Sequence, residues 1–477
     1  MKYFLTLIQL WVGFLSICAS YPKANIWIIP SVESPQVYRN YAQTSKVHLE
    51  MARGEVEHIQ LVFPSKVNEE YRFTFDRYLK GIQISARELK KMNGYYDALV
   101  PFKNQLKCTD TLTAVWITVQ CPSRVPVGKY HQTIKIEGSK HFTIQLDYNV
   151  HHTTIPLKSS IPITVGVENR CMTEGLNDKE ADKERQRWVD FVLSYRMTPV
   201  FGTQITPERW QYEHSFSPWA WNDKRSIRLL NDRRYSCYML PFFTLSENEL
   251  ASLLCNIQKK GKLKESLFYI WDEPAYMEDY EQIKRKVNII RKYASDARIL
   301  TTFFCGPRNG PRKGDLYAVF DYLKHHIHVA TISLAPCKGN EEEVQHIRYK
   351  VPEGIDWWSY VCWQPGGNEP NFLLQMKGIQ QRAVMWRTWK NGSQGFLYWN
   401  CNIYHKRNPF TYITDMPHGD GILIYPGDIL GCKGPIASAR LERWRDGAEE
   451  MELLRLVEKN YSKEKADTLL NIVYSSP

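Results

Sequence analysis

The sequence contains no Cys-x-x-Cys pair, no Gly-rich phosphate loop and no Gly-x-Ser-x-Gly turn. These absences argue against zinc ribbons, thioredoxin-type redox sites, phosphate-loop nucleotide binding and the serine nucleophile of α/β-hydrolases. A basic run interleaved with aromatic residues is also missing, so the net charge of +11 predicts a solvated basic surface and no nucleic-acid partner. We expect no cofactor and no bound metal.

Beyond residue 20 the sequence has no apolar run of the length that a membrane-spanning helix requires. Residues 1–20 begin with Lys2, continue through the apolar stretch from Phe4 to Ile17 and end with Cys18-Ala19-Ser20. This order is typical of a secretory signal peptide. We therefore expect a mature chain without a transmembrane segment, either secreted or lysosomal.

Ten cysteines follow residue 20, and an even number in a secreted chain favours disulfides. Spacing does not fix connectivity, so the pairing is a hypothesis. It consists of Cys305–Cys337, Cys171–Cys432, Cys108–Cys121, Cys237–Cys255 and Cys362–Cys401. Asn391-Gly392-Ser393 and Asn460-Tyr461-Ser462 match the N-glycosylation acceptor pattern, which predicts a glycoprotein.

Residues 21–157 are rich in short segments of β-branched and aromatic residues that are bounded by Gly, Pro or Asn. Short strands at this spacing predict an antiparallel β-sandwich domain. The segments are Ile26–Ile29, His58–Phe63, Ala114–Val119, Thr133–Ile136 and Phe142–Val150.

In residues 158–477 predicted strands alternate with predicted helices, which indicates a parallel (β/α)8 barrel. The expected helices include Lys179–Arg196, Glu247–Lys259, Met277–Ala294, Glu341–Tyr349 and Phe372–Trp389, and an amphipathic helix over Ala437–Asn460 ends the domain. The eight expected strands are Ile163–Val167, Val200-Phe201, Tyr238–Phe243, Leu267–Trp271, Ile299–Cys305, Val329–Leu334, Asp356–Trp363 and Gly395–Asn400.

The fourth predicted barrel strand, Leu267–Trp271, ends abruptly in Asp272-Glu273-Pro274. Catalytic groups of (β/α)8 barrels lie at the carboxyl ends of the strands. Strand alternation would send Asp272 and Glu273 to opposite faces, so both can face one pocket only where the strand twists or ends. Pro274 predicts an extended Glu273. Alternatively, the two acids cap the next helix or lie solvated in a loop.

Two carboxylates at a strand end suggest glycoside hydrolysis, which requires an acid for the leaving oxygen and a second group for the sugar. Aromatic residues gather at the predicted strand ends, and their rings stack on the apolar faces of sugars. About half of them are expected to be core residues instead. They are Trp271, Trp357, Trp358, Tyr360, Trp363, Tyr398 and Trp399.

The predicted seventh strand ends in Tyr360-Val361-Cys362-Trp363-Gln364-Pro365 and has no carboxylate before Glu369, which lies in a loop. An ordinary retaining barrel would place its nucleophile at this strand end. The absence favours a substrate-assisted route, in which the substrate's 2-acetamido oxygen attacks the anomeric carbon.

Other polar segments allow two interpretations each. Glu168 of Glu168-Asn169-Arg170 ends the first barrel strand and either contacts sugar or pairs internally. Asp420 lies in a Gly-rich loop, where a turn role and sugar contact are compatible. His325-His326-Ile327-His328 precedes strand six at the face that serves stability, so a metal is not favoured there. Arg440, Glu442, Arg445 and Asp446 predict an ion-pair network on the last helix.

Several motifs occur in an order that resembles glycoside hydrolase family 123 and the related domain-of-unknown-function 4091 proteins. The resemblance is strongest from about residue 265 to 455, and in the first domain only Arg53-Gly54-Glu55 and Trp116 fit. The motifs are Trp271-Asp272-Glu273-Pro274, Trp357-Trp358-Ser359-Tyr360, Arg382 with Trp386, Gly395-Phe396-Leu397-Tyr398-Trp399-Asn400, Gly419-Asp420-Gly421 with Tyr425-Pro426-Gly427, and Arg440-Leu441-Glu442 with Arg445-Asp446-Gly447.

The resemblance implies a β-sandwich before a (β/α)8 barrel, and a retaining β-N-acetylgalactosaminidase that uses substrate assistance. It implies that Glu273 is the general acid/base and that Asp272 orients the acetamido group. The resemblance does not supply a donor to the acetamido oxygen, and we infer this role for Tyr360 from its place on strand seven. The residues expected to contact substrate are Tyr360, Trp358, Trp399, Asn400, Trp271, Glu168 and Asp420.

Three classes of function fit these residues, and all act on a glycan or glycoconjugate. They are a hexosaminidase for terminal β-linked N-acetylgalactosamine, a glycosidase of another sugar specificity, and a carbohydrate-binding barrel without turnover. The intact Asp272-Glu273 pair favours the two enzymes.

Overall fold

The computed structural model describes residues 26–76, 81–206, 211–304, 306–334, 351–404, 408–410 and 418–474. The chain divides into two compact units. The first lies within Met1–Leu157, Leu374–Trp386 and Ile424–Pro477, and the second within Lys158–Leu373 and Arg387–Leu423.

The first unit contains two five-stranded sheets. Its strands are β1 (Trp27–Pro30), β2 (Lys46–Arg53), β3 (Val56–Pro64), β4 (Glu70–Phe75), β5 (Gln83–Met92), β6 (Tyr95–Pro101), β7 (Gln105–Lys107), β8 (Leu112–Gln120), β9 (Gly128–Glu137) and β10 (His141–Thr154). One sheet has the order β1-β3-β8-β5-β6, and the other has the order β2-β10-β9-β4-β7.

Alternating burial explains how these strands share one core. Along β10, Phe142, Ile144 and Leu146 are buried and the residues between them are more exposed, as expected for a strand with one face inward. Leu61 and Val115 of the other sheet belong to the same hydrophobic cluster. The predicted N-terminal antiparallel sheets are therefore confirmed, except that β10 pairs with β2 in parallel.

A long helix, Ala439–Asn460, also belongs to the first unit, although the sequence assigned it to the barrel domain. It contacts β6 and the short helices Gly378–Arg382 and Lys463–Asn471 of that unit. A hairpin of Ile424–Pro426 and Pro435–Ala437 precedes it. The periodicity that defined this helix does not reveal which sheet it packs against.

Buried charges on this helix are paired, which confirms the predicted ion-pair network. The Arg440 Nε donates to Asp97 Oδ2 at 3.0 Å, and Tyr425 donates to the same oxygen at 2.5 Å. Glu442 pairs with Arg445 and, at 2.6 Å, with Arg87. Removing one partner of such a pair leaves a buried charge uncompensated, which typically costs about 3–5 kcal/mol.

The second unit contains a nine-stranded, nearly closed sheet of the order β13-β12-β11-β19-β18-β17-β16-β15-β14. Neighbouring strands are parallel, except that β13 pairs with β12 in an antiparallel hairpin. The strands are β11 (Ile163–Glu168), β12 (Thr198–Thr206), β13 (Gln211–Ser215), β14 (Tyr238–Met239), β15 (Ser266–Trp271), β16 (Arg298–Phe303), β17 (Val329–Ser333), β18 (Asp356–Val361) and β19 (Phe396–Tyr398).

Helices follow most of these strands. Met277–Arg291 buries Tyr280, Ile283, Val287 and Ile290, the three- and four-residue spacing that predicted it. The other helices of the second unit are Asn169–Thr173, Asp178–Ser194, Lys224–Leu229, Glu247–Lys259 and Tyr317–Leu323, and the helix Val384–Lys390 begins in the first unit and ends in the second.

The prediction of one helix over Phe372–Trp389 is wrong. Two short helices, Gly378–Arg382 and Val384–Lys390, occupy the second part of this segment. Phe372 is buried outside any helix, so its apolar character reflects tertiary packing rather than helical periodicity. The predicted helix over Glu341–Tyr349 lies outside the described residues.

All eight cysteines within the described ranges are free thiols. Four predicted disulfides, Cys108–Cys121, Cys171–Cys432, Cys237–Cys255 and Cys362–Cys401, are therefore wrong, and Cys305–Cys337 lies outside those ranges. The Cys171 thiol donates to the Tyr404 carbonyl at 2.6 Å instead. Burial raises the pKa of Cys171 to about 12, so this thiol is unreactive.

Among the described helices, none has both the length and the apolar composition to cross a membrane. The described residues also contain no group of three or more His, Cys, Asp or Glu side chains arranged to hold a metal ion. The His328 Nδ1 accepts a hydrogen bond from the Ile299 backbone at 3.2 Å, and burial lowers the pKa of His328 to about 4. This histidine is thus part of the strand packing.

Gly166 of β11 is required because this strand passes very close to the chain after β19. A Cβ at Gly166 would lie against the Trp399 carbonyl oxygen, whereas one at Gly202 of neighbouring β12 would meet Tyr212 Cδ1 at 3.4 Å and the Val167 carbonyl oxygen at 3.8 Å. We expect Gly166→Ala to destabilise the second unit by about 1–3 kcal/mol through overpacking. Gly202→Ala should be near neutral or slightly stabilising.

Urea unfolding of the two variants, followed by tryptophan fluorescence, compares them directly. Equal unfolding midpoints for Gly166→Ala and Gly202→Ala would contradict the close approach.

Candidate active site

A local irregularity at the end of β15 brings two consecutive acids to one cavity. The pairing of β15 with β16 shifts between Tyr269 and Trp271, and the strand ends at Trp271. Glu273 then adopts φ = 43°, in the left-handed region. The expectation of an extended Glu273 is therefore wrong. A non-glycine residue in this region costs of order 1–3 kcal/mol and persists where the surroundings hold it.

The cavity has a volume of about 410 Å³ at this edge of the sheet. Most residues predicted to form the site line it: Asp272, Glu273, Trp271, Tyr360, Trp399, Asn400 and Asp420. Tyr269, Thr302, His214, Tyr212, Tyr398 and Trp363 line it as well.

Glu168 and Trp358 are not among the lining residues. Glu168 caps the helix Asn169–Thr173, since its Oε1 accepts from the Arg170 backbone at 3.2 Å. Burial raises the pKa of Glu168 to about 7. Trp358 is buried in the barrel core, where its ring lies against Gly395. Glu168 thus has an internal partner and Trp358 is a core residue, which were the structural alternatives for these two positions.

Two hydroxyl groups hold the Asp272 carboxylate. Tyr269 and Thr302 each donate to Asp272 Oδ1 at 2.7 Å. Burial and the Asp272 charge raise the pKa of Tyr269 well above 10, so its hydroxyl stays protonated and able to donate. Neither residue was predicted, because Tyr269 lies inside the strand pattern and Thr302 comes from the next strand.

The environment of Glu273 favours its protonated form. Its pKa is raised to about 7, first because the surrounding protein excludes water and second because of the neighbouring Asp272 charge. The Tyr360 hydroxyl donates to Glu273 Oε1, and this hydrogen bond lowers the pKa in opposition. A carboxyl group that titrates near neutrality is suited to general acid catalysis.

A neutral histidine forms part of the same wall. The His214 ring, from β13, stacks on Tyr269 with 4.4 Å between centroids and 11° between planes. Burial lowers the pKa of His214 to about 4, so the imidazole is uncharged at neutral pH. No pattern in the sequence predicts His214 as a site residue, because the short strand β13 is an insertion between β12 and β14.

Asp420 holds aromatic residues of β19 and the loop after it. Trp399 Nε1 donates to Asp420 Oδ1 at 2.9 Å, and Tyr398 donates to the same oxygen at 3.1 Å. The Gly421 backbone donates to the Tyr398 hydroxyl at 2.9 Å. Asp420 therefore combines the predicted turn role with a place in the cavity wall.

The arrangement supplies an acid, a fixed neighbouring carboxylate and aromatic walls. The end of β18 contributes Tyr360, Cys362 and Trp363 to the cavity and no carboxylate. Burial and nearby acids raise the pKa of Cys362 far above its usual value, so this thiol is a poor nucleophile. In this arrangement Glu273 can donate a proton to a leaving oxygen, and Asp272 can hold a polar substituent beside the reacting carbon.

A family model described as "Glycoside hydrolase 123, catalytic domain" matches residues 183–457. Among solved structures, a family 123 glycoside hydrolase from Clostridium perfringens, studied for glycolipid glycan hydrolysis, is 14% identical. The comparison covers 94% of this chain and 92% of that chain with a TM-score of 0.67. This likeness shows a common fold.

Two further structures are much less similar. A β-galacturonidase of family 2 from Eisenbergiella tayi is 8% identical, with 83% and 89% of the two chains covered and a TM-score of 0.35. A family 5 xyloglucanase from Bacteroides ovatus is 10% identical, with 85% and 98% covered and a TM-score of 0.28. No curated protein matches the chain.

The family model spans more than half of the chain and includes β15, β18 and β19, which supply the acids and aromatic walls of the cavity. The chain therefore belongs to glycoside hydrolase family 123 and is a glycoside hydrolase.

Proposed function

We propose that the protein removes terminal β-linked N-acetylgalactosamine with retention of configuration, by attack of the substrate's own acetamido group. The observation that carries this proposal is the set of acids that line the cavity. Glu273 is a suitable acid, Asp272 is fixed beside it, and the end of β18 offers no carboxylate nucleophile. The third acid, Asp420, follows β19 and accepts hydrogen bonds from Trp399 and Tyr398 through Oδ1. A nucleophile supplied by the substrate completes the set.

In the first step the acetamido carbonyl oxygen attacks C1 as the bond from C1 to the leaving oxygen breaks. The electron pair of that bond passes to the leaving oxygen, which takes the proton of Glu273. Asp272 accepts a hydrogen bond from the acetamido N–H and stabilises the positive charge that develops on the cyclised oxazoline ring. Tyr269 and Thr302 keep Asp272 oriented for this contact.

In the second step the Glu273 carboxylate removes a proton from water, whose oxygen attacks C1. The bond between C1 and the acetamido oxygen breaks, and the acetamido group is restored. Two inversions at C1 leave the β configuration in the product. Glu273 ends the cycle protonated, as it began.

Tyr360 was expected to donate to the acetamido oxygen. In the free enzyme its one hydroxyl proton goes to Glu273 Oε1, which leaves Oε2 to carry the catalytic proton. We therefore assign Tyr360 first to the orientation of the acid. Trp399, Trp271 and Asn400 line the same cavity, which supports their proposed contact with the sugar.

The wider setting is part of the proposal. The similar enzyme from Clostridium perfringens was studied for glycolipid glycan hydrolysis, which supports a glycoconjugate as the substrate of this protein. When β13 is left out, the strands β11, β12 and β14–β19 are neighbours in chain order, which supports a (β/α)8 barrel. The Phe216 N–H, just after β13, donates to the Met239 carbonyl of β14 at 2.7 Å. Exposed Asn460 ends a helix, which supports glycosylation of a secreted or lysosomal protein.

Glu273→Gln tests the acid. An amide cannot deliver the proton, so we expect kcat on an unactivated glycan to fall by about 10²–10⁴-fold, with a smaller loss on an aryl glycoside whose leaving group needs little protonation. Glu281→Gln, which changes an exposed glutamate paired with Lys284, is the matched control and should keep full activity. Wild-type rates for Glu273→Gln on the glycan would remove Glu273 from this role.

Tyr360→Phe tests the pH dependence. Activity requires protonated Glu273, so the rate should fall as the pH rises through about 7. The Tyr360 hydrogen bond lowers the pKa of Glu273, and its removal should raise that pKa and move the alkaline limb of the kcat/KM profile to higher pH. Tyr293→Phe, which loses a hydroxyl bonded to Glu247, should not move it. A shift of the alkaline limb to lower pH in Tyr360→Phe would contradict this assignment, because it would mean that the Tyr360 hydrogen bond raises the pKa of Glu273.

Substrate assistance is tested by comparing nitrophenyl glycosides of β-GalNAc, β-GlcNAc and β-galactose. The galactoside has no acetamido group and should be inert, whereas a thiazoline mimic of the cyclised intermediate should inhibit. Asp272→Asn should weaken both turnover and thiazoline binding. A covalent glycosyl adduct on the enzyme, or an α-anomer as first product, speaks against the mechanism.

A further inference from the structure

One hydroxyl group touches both acids of the site. Thr302, on β16, donates from Oγ1 to Asp272 Oδ1 at 2.7 Å. The same oxygen accepts a hydrogen bond from the Glu273 backbone N–H at 2.9 Å. Thr302 lines the cavity, although almost none of its surface is exposed.

The direction of these hydrogen bonds follows from what a hydroxyl group can donate and accept. A threonine hydroxyl has one proton to donate and two lone pairs that accept. The Glu273 N–H can only donate and the Asp272 carboxylate can only accept, so the Thr302 proton points to Asp272. The Tyr269 hydroxyl lies 3.1 Å from the Thr302 oxygen and has its own proton directed to Asp272.

The bond to Glu273 lies where the backbone is strained. The φ of 43° at Glu273 is unfavourable for a residue with a side chain, and the structure retains it only where contacts enforce it. The Thr302 oxygen binds the N–H of this same residue. It therefore ties the strained turn that aims the acid to the carboxylate that orients the substrate.

We infer that Thr302 is a positioning residue that sets the acid/base and the acetamido-orienting carboxylate in one common geometry. It makes no bond in the reaction and acts through Asp272 and Glu273. The inference rests on the proposed roles of these two acids and adds that their placement is coupled, so that loss of one hydroxyl disturbs both.

The neighbouring Thr301 provides a matched control. It lies on the same strand, is fully buried, and its hydroxyl has no hydrogen-bond partner within the part of the chain that the structure describes. Thr→Val removes a hydroxyl and keeps the branched shape at either position. Thr302→Ser keeps the hydroxyl and loses only a methyl group.

The experiment measures kcat and KM of Thr302→Val, Thr302→Ser and Thr301→Val on whichever aryl glycoside the wild type cleaves fastest. We expect Thr302→Val to lower kcat by about 10–100-fold with little change in KM, because a small misplacement of catalytic groups has an effect of this size. Thr302→Ser should recover most of the rate, and Thr301→Val should match the wild type. Circular dichroism and thermal unfolding of each variant establish that it is folded.

Combination with Asp272→Asn separates positioning from general structural support. If Thr302 acts through Asp272, the Thr302→Val loss should be smaller in the Asp272→Asn background than in the wild type, because neighbours that act as a unit are not additive. A merely structural role would give the same factor in both backgrounds.

Equal losses for Thr302→Val and Thr301→Val, or additive losses with Asp272→Asn, overturn the inference. The choice of substrate keeps this result apart from the proposed function. If the wild type cleaves a glycoside without an acetamido group, the proposed mechanism fails, while the Thr302 comparison still reports on the coupling of the two acids.

Discussion

A strand directs consecutive side chains to opposite faces, and the placement of two consecutive acids in one cavity requires a departure from that geometry. Asp272 and Glu273 are adjacent, yet both line one cavity. An irregular register before Trp271 and the left-handed backbone of Glu273 turn the second acid toward the first. The hydroxyls of Tyr269, Thr302 and Tyr360 then fix the carboxyl groups, so the site is built around a strained turn rather than a regular strand end.

The two acids could be predicted from the sequence, because a buried apolar segment followed by two carboxylates is a local pattern. Thr302 and His214 could not, because their place in the cavity comes from pairing with neighbouring strands and from an inserted hairpin. The backbone of Glu273 differs from the expected extended form, because tertiary contacts override the usual effect of a following proline. Glu168 and Trp358 were expected in the site because they lie on or at the end of barrel strands, but Glu168 caps a helix and Trp358 packs in the core.

The same limit applies to the long helix Ala439–Asn460. Its periodicity predicted a helix and its charges predicted ion pairs, and both are present. Its place in the first unit depends on partners far away in sequence, such as Asp97 on β6. A buried guanidinium is compatible with a folded core only where a carboxylate meets it, so this pair ties the helix to one sheet.

The uncharged state of His214 has a consequence for ligands that carry charge. Because burial keeps this imidazole neutral above about pH 4, it adds no positive charge to the wall against which Tyr269 lies. Ionisation of Glu273 near pH 7 therefore makes the cavity more negative without a compensating histidine. Under the proposed role of Glu273, amine-containing sugar mimics should bind more tightly above its pKa, where the carboxylate is charged, and turnover should be faster below it, where the carboxyl group holds its proton.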